Sequence, residues 1–98
     1  MKMIACKKCK SEIDIEKAIK ESPFCWPEMQ TFWYECPSCK EGNHVRVEEG
    51  KVFIIEVTGT GPTWELMQSM EMDIRFRIDP SYLHIWVGEQ HYEVEAKK

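Results

Sequence analysis

Two short motifs, Cys6-Lys7-Lys8-Cys9 and Cys36-Pro37-Ser38-Cys39, constrain this chain more than anything else in it. A two-residue spacer lets one tight turn aim two thiolates at a single point, and four thiolates in tetrahedral array suit a zinc ion. Four cysteines close the coordination sphere and leave no position for a substrate, so the expected role of the ion is structural. Iron takes the same ligands and stays open as an alternative. So do disulfides or reduced core thiols, the readings without a metal.

A chain of 98 residues buries a modest core, which a bound ion commonly supplements. The opening MKMIACKKCK has no apolar stretch of the kind a signal peptide needs, and Val52–Ile55 is the longest apolar run. No membrane span is expected, and paired thiols without an export signal point to a cytoplasmic, metal-binding chain. Cys25, between Phe24 and Trp26, has no x2 partner and reads as a small buried hydrophobe. No neighbour supplies the base that a nucleophilic thiol needs, so an enzyme is not expected.

Each Cys pair follows a short strand, Met3–Ala5 and Thr31–Glu35. In this respect the chain resembles the zinc ribbons with rubredoxin-like knuckles, over residues 3–57. The resemblance implies a zinc-ribbon fold and the ligand set Cys6, Cys9, Cys36 and Cys39. The gap from Cys9 to Cys36 is 26 residues, longer than the usual 15–20, and Lys10 and Lys40 stand where members often place Gly.

The extra length suits a short helix, since Ile15, Ala18, Ile19 and Ser22 fall on one face. Asp14 or Ser11 would cap it and Pro23 would stop it, although the alternation of Glu12, Ile13, Asp14 and Ile15 also suits a strand end. Phe24–Pro27 reads as an irregular aromatic connector. His44–Glu48 and Lys51–Val57 are expected to form a hairpin with Val47 opposite Val52 and Val45 opposite Ile54, the second strand being central.

The run Thr58-Gly59-Thr60-Gly61-Pro62 marks a boundary. Thr63 can cap a second helix with Leu66, Met67 and Met70 on its buried side. A three-stranded meander then follows from strict alternation. Pairing Ile78 with Leu83 sets Phe76 opposite Ile85 and Ile74 opposite Val87. Pairing Val87 with Gln90 sets Ile85 opposite Tyr92 and Leu83 opposite Val94, and Gly88-Glu89 suits a type II′ turn. The expected fold is α+β: a zinc ribbon at 1–57, then a helix and antiparallel meander at 63–98 sharing one core with it.

The other face of the meander gathers Arg75, Arg77, Tyr82, His84 and Trp86, residue types enriched at binding hot spots. It is a partner surface, the joint that packs on the ribbon, where Phe32, Tyr34, Phe53 and Ile55 need cover, or a face on which single-stranded nucleic acid stacks. His84 and His91 share this face, with Glu93 opposite His84. Two His and a carboxylate make a minimal metal triad, although solvated His is the commoner case.

The formal charge is −4, with residues 41–98 carrying six Lys or Arg against eleven acids. An acidic chain is a poor default binder of nucleic acid. The leading function is therefore a zinc-binding, non-catalytic interaction or adaptor module for a protein partner. The Lys residues around the first Cys pair keep a nucleic-acid-binding ribbon of transcription or RNA processing as the alternative. An iron or thiol-based redox protein is third.

Overall fold

β-branched and aromatic residues arrive here in short alternating runs, and strands dominate the result. The computed structural model describes residues 3–58 and 63–97. Three antiparallel sheets form among these residues. Strands β1 (Met3–Ala5) and β2 (Glu12–Asp14) make a two-stranded ribbon, which leads into helix α1 (Ile15–Glu21). The main sheet holds β3 (Cys25–Trp26), β4 (Thr31–Glu35), β5 (Gly42–Glu48), β6 (Lys51–Val57) and β7 (Trp64–Glu71), side by side in chain order. The third sheet is a meander of β8 (Ile74–Ile78), β9 (Tyr82–Val87) and β10 (Gln90–Glu95).

Both readings of residues 11–22 hold, for different residues. Glu12–Asp14 pairs with β1, and the Asp14 side chain then accepts from the N–H groups of Glu16 and Lys17 to cap α1. The helix ends at Ser22, before Pro23, and buries Ile15, Ala18 and Ile19. The connector at 24–27 is more ordered than its composition suggests. Cys25 and Trp26 form an edge strand on β4, and a 3-10 turn follows at Pro27–Met29.

The hairpin and the meander carry the expected registers: Val47 opposite Val52, Ile78 opposite Leu83, Val87 opposite Gln90. The second helix does not form. Residues 64–71 are instead the fifth strand of the main sheet, and Leu66 and Met67 are exposed rather than buried. A central strand as apolar as β6 needs a partner on each edge, and β7 supplies the second, with a bulge at Ile54/Ile55. The class is accordingly mostly β with one short helix. The proposed boundary at 58–62 lies, apart from Thr58, outside the described residues.

One apolar cluster fills the space between the layers. It takes Phe32, Tyr34, Val45, Val47, Val52 and Ile54 from the main sheet, Ile15, Ala18 and Ile19 from α1, and Ile74, Leu83, Ile85 and Val94 from the meander. Each fully buried aliphatic or Phe side chain contributes roughly 1.5–3 kcal/mol. The meander therefore meets the sheet through its Leu83 and Ile85 face. Phe32 and Tyr34 lie in this one cluster with α1 and the inner residues of the meander, whereas Arg75 is exposed and Trp86 half-buried.

Candidate metal centre

β1 runs into the first Cys turn and β2 leads out of it; β4 and β5 do the same for the second. In each turn the backbone makes the same pair of bonds. The N–H of Cys6 donates to Ser11 O at 2.9 Å and that of Lys10 to Cys6 O at 3.1 Å. The N–H of Cys36 donates to Glu41 O at 2.9 Å and that of Lys40 to Cys36 O at 2.8 Å. This closure puts Lys10 and Lys40 in the left-handed region, at φ 66° and 67°. The turn geometry that Gly makes easy is thus adopted by Lys at both sites, at the steric cost a Cβ incurs there.

The two turns face each other. Cys6 Sγ lies 3.7 Å from Cys39 Sγ, and Cys9 Sγ lies 3.6 Å from Cys36 Sγ. All four sulfurs are within 4.8 Å of one another. A tetrahedral ion with metal–sulfur bonds of about 2.3 Å sets its ligand sulfurs about 3.8 Å apart. The spacing here matches that edge, so the donor set fits a bound metal ion. Cys6 and Cys36 are buried, Cys39 is half-buried and Cys9 reaches solvent.

The polar surroundings favour thiolate at Cys6 and Cys9. Burial pushes the Cys6 thiol up, but hydrogen bonds from the backbone at Cys9 and Lys8 and from the Asn43 amide draw it down to about 6. The Ser11 hydroxyl, 3.2 Å from Cys9 Sγ, lowers that thiol as well. At Cys39 a backbone hydrogen bond at Glu41 pulls downward. Burial and the three sulfur neighbours outweigh it and push the thiol up to about 11. Four anions at this spacing repel one another, so the last protons leave only when a cation takes their place.

Asn43 is the residue that sequence reasoning missed. It is fully buried in β5, accepts the Lys7 N–H on Oδ1 at 3.0 Å and points Nδ2 at Cys6 Sγ, 3.6 Å away. No local pattern marks it; only the register that puts it opposite Tyr34 brings it to the cluster. Lys7 also reaches across, with Nζ 3.5 Å from Glu41 Oε2. Cys25 stands apart from the four-cysteine cluster, fully buried, with its thiol donating to Val94 O at 3.2 Å.

The five residues read as a partner surface do come together on the meander. Arg77 is opposite His84 and Arg75 opposite Trp86, with guanidinium carbons 6.0 and 5.7 Å from the centre of the Trp86 ring. Arg75 and Arg77 are exposed and Tyr82 and Trp86 half-buried, while His84 is only 8% exposed. A second aromatic group, unforeseen in the sequence, lines the far face of the main sheet. Phe24 stacks on Trp33, Trp26 on His44, and Arg46 sits over Trp64.

The fold and site together define a small, mostly β protein with a four-cysteine cluster that fits a metal ion. No family model, curated protein or solved structure matches the chain. None of the helices among the described residues is long and apolar enough to cross a membrane.

Proposed function

We propose that the chain is a zinc-stabilised, non-catalytic interaction module. In this reading residues 3–57 form a long-gap zinc ribbon held by Cys6, Cys9, Cys36 and Cys39. The observation that carries it is the sulfur tetrahedron, closed by four protein ligands and set between two matching turns. Bound there, zinc supplies a crosslink between the β1–β2 ribbon and the main sheet. The residues themselves do the rest: Asn43 and the backbone N–H of Lys8 orient and charge-stabilise Cys6, while Lys7 ties the two turns through Glu41.

The module would meet its protein partner through Arg75, Arg77, Tyr82 and Trp86, with His84 as the ring between Tyr82 and Trp86. What supports this is the pairing of exposed guanidinium groups with a half-buried indole, a combination common at hot spots. Nucleic acid is the weaker candidate, because Lys7 is already engaged by Glu41 and the chain is acidic overall.

Metal analysis with chelation is the test. About one zinc in the thiolate site, and loss of the cooperative fold on its removal, is the expected result because the binding energy is folding energy. A metal-free chain with an intact transition contradicts it, and a coloured, iron-loaded protein moves the reading to electron transfer. Retention of host proteins that disappears in Arg75→Glu/Trp86→Ala supports the partner face. Salt-sensitive retention on immobilised nucleic acid instead favours the other partner class.

A further inference from the structure

We propose that His84, His91 and Glu93 form a second metal site, on the outer face of the meander and independent of the four cysteines. The antiparallel register brings them together: His84 in β9 is directly opposite Glu93 in β10, and His91 is its diagonal neighbour, opposite Trp86. His84 Nδ1 lies 3.1 Å from His91 Nε2 and 3.8 Å from Glu93 Oε1, and one ligand atom from each residue falls within 4.8 Å of the others.

A hydrogen bond can join His84 Nδ1 to His91 Nε2, with the proton on either ring. His84 Nδ1 faces both the imidazole and the carboxylate, and a single N–H directs its bond at one acceptor. A divalent ion accepts all three lone pairs at once. With ring nitrogens about 2.0–2.1 Å from an ion, a nitrogen pair at this separation subtends roughly 100°, and the nitrogen–carboxylate pair roughly 130°. These two angles, both at pairs that share His84 Nδ1, bracket the tetrahedral value, so a site of three protein ligands with a fourth position open suits the arrangement. His91 and Glu93 lie at the surface, and the open position therefore faces solvent.

The supporting shell is in place as well. His84 is almost wholly buried, its ring lying between those of Tyr82 and Trp86, and the His84 and His91 planes are within 14° of each other. Trp86 stacks on His91 with centroids 4.7 Å apart, which holds the exposed ring in the ligating direction. Imidazole-rich sites prefer zinc, nickel or copper to magnesium or calcium. Arg75 and Arg77 stand nearby and raise the cost of a dication, so this site fills after the thiolate centre.

Nickel titrated into the protein with its cysteine site already zinc-loaded tests the proposal, read by calorimetry and by quenching of tryptophan fluorescence. One saturable nickel per chain is expected, with quenching from Trp86 and with zinc retained. His91→Ala, a surface change that leaves the core intact, should abolish both signals. Glu93→Gln should weaken binding at least about tenfold, the lower end of what even a supporting partner of a metal ligand is worth. No saturable uptake overturns the site, as does uptake undiminished in either variant. Because the zinc content is followed separately, failure here is distinguishable from failure of the thiolate centre.

Discussion

Asn43 joins the two cysteine turns through Cys6: its amide points at the Cys6 sulfur from 3.6 Å while its carbonyl oxygen accepts the Lys7 N–H at 3.0 Å. Both groups are out of reach of water, since Asn43 and Cys6 are each 0% exposed. Asn43→Ala leaves the half-buried Lys7 N–H without its acceptor and should cost about 1 kcal/mol. Asn43→Asp keeps that acceptor but turns a carboxylate oxygen toward a thiolate, so metal should be released more readily still. Competition with a chelator should rank retention as wild type, then Ala, then Asp. An Asp variant that holds metal as well as wild type contradicts the role given to the amide.

Gly42 lies beneath the Trp33 indole on the strand pair β4–β5. A Cβ added there would meet Trp33 Nε1 at 2.5 Å and Cε2 at 2.8 Å, closer than atoms approach. The ring is not free to swing away, because it stacks on Phe24 with centroids 5.5 Å apart. Gly42→Ala should therefore destabilise by about 1–3 kcal/mol, as overpacking does, although a surface glycine in a strand ordinarily gains from the change. A denaturation midpoint at or above that of wild type would contradict the packing.

Trp86 and Phe32 separate the two faces of the layers. Phe32 is fully buried between the main sheet and the meander, and Phe32→Ala should cost about 3–5 kcal/mol. Trp86 is half-buried on the outer face and leans on His84, His91 and two arginines. Trp86→Ala should cost about 1 kcal/mol, mostly the lost ring and cation contacts. Equal losses for the two variants would put Trp86 in the joint rather than on the surface.

What could be read from the sequence, and what could not, follows from where the information sits. The meander was legible because Ile74, Phe76 and Ile78 alternate with charges, so a slip by one residue would bury Arg75 or Arg77. The helix α1 was legible because its cap and its stop, Asp14 and Pro23, are local. Residues 64–71 were not. Leu66, Met67 and Met70 imitate a helical stripe, and only the open edge of β6, a tertiary fact, turns them into a strand. The clustering of the four cysteines was legible from spacing alone. Asn43 was not, since its value depends on a register between strands far apart in the chain.

Cys25 is predicted to be inert. Burial pushes its thiol up to about 11, so at pH 8 only about one part in a thousand is thiolate. Alkylation of the metal-loaded native protein, mapped by mass spectrometry, should leave Cys25 unmodified. Cys25→Ser should leave metal content unchanged, whereas Cys39→Ser should abolish tight binding. Loss of metal in the Cys25 variant would show that the ligand set is wrong.

X-ray absorption at the zinc edge, on protein loaded with one equivalent of zinc per chain, tests the account most directly. The single equivalent matters because the thiolate centre fills first. Four sulfur scatterers at about 2.3 Å and no nitrogen or oxygen in the first shell are the predicted result. A first shell containing nitrogen or oxygen, or fewer than four sulfurs, would contradict the closed centre formed by Cys6, Cys9, Cys36 and Cys39.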